Sequence, residues 1–136
     1  MADEAFLDQY LTFVDGVTSE ASSNRDAFLA RINELYDNGC DVSRLLTASC
    51  GLSAEGGEFM EVVKKILFQG KPYDEANRFH MLRELGDCHW YLANACIALG
   101  LDPYQVFEEN VRKLESRYPG GKFDISRSET RKDNDI

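Results

Sequence analysis

Residues 52–66 read Leu52-Ser53-Ala54-Glu55-Gly56-Gly57-Glu58-Phe59-Met60-Glu61-Val62-Val63-Lys64-Lys65-Ile66. At about 100° per residue, Phe59, Val62 and Ile66 fall within about 40° of Glu55, and Leu52 and Val63 within about 80°. The period is helical, and Glu55 sits in the middle of the apolar stripe that such a helix buries. Glu58 lies about 60° to one side. Working outward, Asp41 is a candidate cap before this helix, and Gly70 and Pro72 stop it after Phe68.

The next helix repeats the pattern. Counted from Glu84, the residues Met81, Cys88, Leu92, Ala95 and Leu99 fall within about 80° on one side, and Asp87 about 60° to the other. This helix is predicted from Asp74 or Glu75 to Leu99, with Gly100 closing it. Each of the two helices therefore carries one acid on its stripe and a second acid three residues later on the same flank. Either pair alone is ordinary on a solvated face; two pairs centred on apolar stripes are not. Four converging carboxylates face both desolvation and mutual repulsion. A bound cation removes both penalties, and oxygen-only ligands select Mg²⁺, with Mn²⁺ as a substitute. His80 and His89 do not pair with a cysteine at zinc spacing, and no Glu-x-x-His supports a di-iron site.

The rest of the chain extends an all-α bundle of about four to five helices. One amphipathic stretch runs from about Asp3 to Asp15 with Phe6, Tyr10 and Phe13 at helical spacing, and Gly16 to Asn24 is loop-like. Another runs from Asp26 to Asp37. Asp102-Pro103 opens a last helix that ends near Tyr118. Lys122 to Ile125 is too short to found a sheet. The expected organisation is one domain over 1–123, followed by a polar, flexible tail over 124–136.

A chain of 136 residues is the size of one domain and long enough to bury a core without staples. Its 24 acids against 15 bases give a net charge of −9, which argues against nucleic acid or an anionic membrane as partner. The longest apolar stretch, Trp90 to Leu101, falls short of the ~20 residues a membrane span needs. The acidic start lacks the pattern of a signal peptide, and the four cysteines form no Cys-x-x-Cys, so small buried thiols in the cytoplasm are expected.

The run Gly51-Leu-Ser-Ala-Glu55-Gly-Gly-Glu58-Phe59, followed by Glu84-Leu-Gly-Asp87-Cys-His-Trp-Tyr91, resembles the MazG-like, all-α nucleoside triphosphate pyrophosphohydrolases. Their signature is Glu-x-x-Glu, a spacer, then Glu-x-x-Asp, and here residues 59–83 form the spacer. Asn110-Val-Arg-Lys113 and Arg117-Tyr118-Pro119 match a third block, so the resemblance covers about 45–123. It implies that Glu55, Glu58, Glu84 and Asp87 hold Mg²⁺, and that a (deoxy)nucleoside triphosphate is cut to the monophosphate and pyrophosphate. Compact relatives, phage-encoded ones included, often favour dGTP or dCTP, and for a phage protein the compartment would be the host cytoplasm. Family members usually assemble as homodimers or homotetramers. Many carry two adjacent glutamates in the first block, whereas Ala54 precedes Glu55 here; Glu61, one turn on, supplies another carboxylate for catalysis.

The chemistry fits this reading, because a divalent cation that polarises a phosphate and a water makes a protein nucleophile unnecessary. Asn110, Lys113 and Arg117 share one flank of the last helix and offer donors to the phosphates, as does Lys65 beside Glu58. Tyr91, one turn after Asp87, stands where the resemblance implies an aromatic beside the base or sugar; His80, one turn before Glu84, reads by default as a satisfied core or outer histidine, with orienting Glu84 as the other reading. Two alternatives remain at this level: a non-catalytic nucleotide-binding regulator, which Ala54 keeps open, and a phosphoribosyl-ATP pyrophosphohydrolase.

Overall fold

A computed structural model describes residues 4–130. These residues fall into two compact units, one ending at Val42 and the other starting at Ser43.

The first unit holds α1 (Glu4–Val17), α2 (Glu20–Ser23) and α3 (Arg25–Asp37). The sequence predicts a loop from Gly16 to Asn24, but α1 continues through Gly16 and a single turn, α2, forms within the polar stretch. Asn24 then caps α3, its side chain accepting from the Asp26 and Ala27 amides at 2.9 and 3.0 Å.

The second unit holds α4 (Val42–Phe68), α5 (Glu75–Leu99), α6 (Pro103–Arg117) and α7 (Ile125–Glu129). The described residues contain no strand, so the all-α expectation is borne out; the helix count rises from about five to seven through the short α2 and α7. The turn α7 forms inside the expected tail because Asp124 caps it, accepting from the Arg127 amide at 3.0 Å. The remainder of that tail, 131–136, lies outside the described residues.

Caps set the ends of the long helices. Asp74 accepts from the Asn77 amide at 2.9 Å, and the buried Asn77 side chain donates to the Pro72 carbonyl at 2.7 Å. Gly100 closes α5 in the left-handed region at φ +64°, a conformation that favours glycine. Asp102 and Gln105 form a reciprocal capping box at the start of α6, with Pro103 in the first turn.

The contacts between α4 and α5 run antiparallel. Arg44 donates to Asn94 at 3.0 Å, Gly51 lies under the Tyr91 ring, and Glu55 meets Glu84 and Asp87. As α4 advances, its partner on α5 steps back. Among the protected positions, 48, 51, 55, 59 and 62 on α4, and 77, 81, 84, 88, 91, 95 and 98 on α5, recur at helical spacing.

Gly51 permits the closest approach in this seam, since a Cβ there would overlap the Tyr91 ring. At Gly56 an added Cβ meets nothing. Gly51→Ala is therefore expected to cost about 1–3 kcal/mol through overpacking. Gly56→Ala should instead stabilise by roughly 0.5–1 kcal/mol through helix propensity. Urea unfolding of the two variants should displace the midpoint in opposite directions.

Candidate metal centre

Both stripes deliver an acid into the seam. Glu84 is buried, Glu55 is half-buried and Glu58 is exposed on the flank. One carboxylate oxygen from each of the three lies within 4.8 Å of the others. Asp87 is exposed and falls outside that group of three, yet it lies close enough to Glu55 to act on its charge. Both stripe acids are protected and both flank acids are exposed; of the four acids expected to converge, Glu55, Glu58 and Glu84 form the close group.

The electrostatics register the crowding. Partial desolvation pushes the Glu55 carboxyl above the ordinary range, and the charges of Glu58, Asp87 and Glu84 add to it, with a hydrogen bond to Glu84. A carboxyl pushed upward by desolvation and by neighbouring carboxylates marks a place where positive charge would be favoured. The donors are hard oxygens drawn from two helices, as Mg²⁺ or Mn²⁺ requires. The residues thus fit a divalent cation, with Glu55, Glu58 and Glu84 as the set that the geometry brings together.

His80 stands one turn before Glu84, and its Nε2 lies 2.9 Å from Glu84 Oε1. The neighbours of the cluster on α5 therefore include an imidazole as well as Asp87. His89, in contrast, turns its Nδ1 to the Leu85 carbonyl of its own helix at 2.7 Å.

The other sequence-predicted residues are placed as follows. Glu61 and Lys65 form an exposed ion pair at 2.8 Å, and the Lys65 ammonium holds the Glu61 carboxyl below the ordinary range. Such a carboxylate is a weakened base, and the structure groups it with Lys65 rather than with the three clustered acids. Asn110 and Lys113 line a groove on α6 together with Val106 and Phe107, and none of the four acids lines it. Arg117 is half-buried at the end of α6. Tyr91 is half-buried, its ring seated on Gly51 and met edge-on by Trp90 at 4.8 Å between centroids. Sequence reasoning missed the role of Gly51, although its place on the stripe one turn before Glu55 was the available signal. None of the four cysteines is buried: Cys50 is exposed, the others are half-buried, and all are free thiols. No described helix is long and apolar enough to cross a membrane.

Helices that carry a Glu-x-x-Glu and a Glu-x-x-Asp into one seam define a class of acid-clustered helical proteins, and the sequence comparisons identify which. The MazG nucleotide pyrophosphohydrolase domain matches residues 45–121, more than half of the chain and all of it within the second unit. The chain belongs to this family. It is also similar to the Gene 37 protein of Mycobacterium phage L5, at 36% identity over 84 residues, which covers 60% of this chain and 74% of that protein. No solved structure matches the chain.

The raised Glu55 carboxyl has a defined consequence for stability. A group whose folded state binds its proton more tightly than the unfolded chain favours folding below the ordinary carboxylate range, and that contribution is lost as pH rises through its folded value. In EDTA, Glu55→Gln should therefore melt higher than the parent at neutral pH. The difference should close as pH falls through the Glu55 titration, and a pH series of thermal melts reads it directly.

Proposed function

We propose that the protein hydrolyses (deoxy)nucleoside triphosphates to the monophosphate and pyrophosphate, with Mg²⁺ held by Glu55, Glu58, Glu84 and Asp87. The observation that carries this reading is the meeting of three carboxylates within 4.8 Å in a partly buried seam. Family membership supports the class of reaction, since the matched domain is that of nucleotide pyrophosphohydrolases. When bound, a divalent cation neutralises phosphate oxygens and acidifies a coordinated water.

The chain's own groups supply the remainder. The two stripe acids are fixed by helix packing, so the oxygens are pre-positioned and lose little freedom on binding. The flank acids Glu58 and Asp87 are exposed, which leaves the centre open to a polyphosphate from that side. Asn110, Lys113 and Arg117 supply donors for the phosphate oxygens, and Lys65 adds a charge that Glu61 already partly compensates. Glu61 remains the additional carboxylate of this reading, in place of the glutamate that Ala54 replaces. Tyr91, held by Gly51 beneath and Trp90 at its edge, is a rigid aromatic surface for a base or sugar. By resemblance to compact members of the family, deoxynucleotides are the proposed substrates, with dGTP and dCTP first, in a cytoplasmic pool.

The protein is further read as a homodimer or homotetramer. Among the described residues only Ala48 and Val62 are buried hydrophobics, while Phe107 is 62% exposed and Val111 53% on the apolar stripe of α6. An amphipathic helix with so much of its stripe exposed is suited to covering by a second copy of itself. The net charge of −9 leaves no broad basic surface for nucleic acid or an anionic membrane.

The test is a panel of NTPs and dNTPs with and without Mg²⁺, scored for pyrophosphate. Product is expected only with the cation. Glu58→Ala and Asp87→Ala should lower turnover by at least about a hundredfold with helicity unchanged. Binding of nucleotide without any product would favour the regulator reading, and turnover of phosphoribosyl-ATP alone would favour that narrower activity. For assembly, sedimentation should give a dimer or tetramer, and Val111→Glu should shift it toward the protomer.

A further inference from the structure

Two histidines sit on α5, and they are used differently. His89 bonds a backbone carbonyl of its own helix, the usual fate of an exposed helical imidazole. His80 reaches instead to a carboxylate, and that carboxylate is the most buried member of the acid cluster: the Glu84 side chain is 8% exposed, against 47% for His80. With all three acids ionised, as a divalent cation requires of its ligands, the Glu84 carboxylate is repelled by Glu55 and Glu58, and its terminal torsion is broad and intrinsically soft. In that state the shared hydrogen bond with Glu55 is gone and nothing in the acids themselves keeps Glu84 turned toward the other two. A directional donor from the preceding turn does so by engaging one oxygen and leaving the other lone pairs toward the cluster.

We propose that His80 is a positioning residue for the metal centre, its imidazole holding the buried Glu84 carboxylate in the orientation that a divalent cation needs. The inference rests on the metal-binding reading above. It does not depend on the charge of the ring, since the neutral tautomer with a proton on Nε2 donates equally. Carboxylates that bind metals are commonly oriented by such outer partners, and loss of one weakens metal affinity 10- to 100-fold.

The experiment is a titration of Mn²⁺ into the full chain, followed by the electron paramagnetic resonance of the free ion, with no nucleotide present. His80→Ala is expected to weaken Mn²⁺ binding by about 10- to 100-fold. His80→Gln, whose amide places a donor near the position of Nε2, should recover most of the affinity. Should the alanine variant not fold, His80→Met fills the space without a donor and takes its place. Thermal melts in EDTA accompany each titration. Unchanged affinity in the donor-free variant overturns the proposal. So does an equal loss in the donor-free and glutamine variants with equally lowered melts, which would make His80 a structural prop. If the parent chain itself binds no Mn²⁺, the metal reading falls and takes this inference with it.

Discussion

The antiparallel contact of α4 with α5 is the constraint on which the rest depends. Two helices face each other along partly protected stripes, and each stripe contains a glutamate. The arrangement is costly by itself, because partial desolvation and three neighbouring carboxylates lift the proton affinity of Glu55. Register is what makes it specific. Sliding α5 past α4 by one residue would turn its contact face by about 100° and carry Glu84 out of the seam. Gly51 beneath Tyr91 and the bond from Arg44 to Asn94 pin that register at two points on one side of the acids.

The same seam explains what was legible in the sequence. Helical period is a local property, so the placement of Glu55 and Glu84 among protected positions, and of Glu58 and Asp87 on the exposed flank, could be read from spacing alone. The Glu-to-Lys spacing of Glu61 and Lys65 is equally local, and favours the ion pair they form. What spacing does not carry is which residue meets which across the seam. Tyr91 was legible as lying on the stripe of Glu84, but its seat on Gly51 follows only from the register. The short turns α2 and α7 were illegible for a different reason: a single capped turn has no apolar period to detect.

The helix α6 separates amphipathicity from burial. Its sequence has a clear apolar stripe, and its start is fixed by a full capping box. Val106, Phe107, Val111 and Leu114 nevertheless stay exposed, each by 40% or more. The sequence signal for a helix was correct, while the inference that its stripe lies in the protomer's own core was not available from it. Tyr118 alone finds an aromatic neighbour, Phe123, at 5.7 Å between centroids.

These features bear on one another. A protomer with so few buried hydrophobic side chains has little stability in reserve, and part of that reserve is spent on holding like charges together. Any species that binds the folded acids and not the unfolded chain adds stability by mass action, and so does a second copy that covers α6. On the proposed reading, metal binding at the α4–α5 seam and assembly through α6 are each linked to folding. A change that relaxes the acid cluster, such as neutralising Glu55, would then gain stability while removing a proposed metal ligand. Such an opposition would distinguish a functional site from acids tolerated by accident, because accidental repulsion could be relieved without loss.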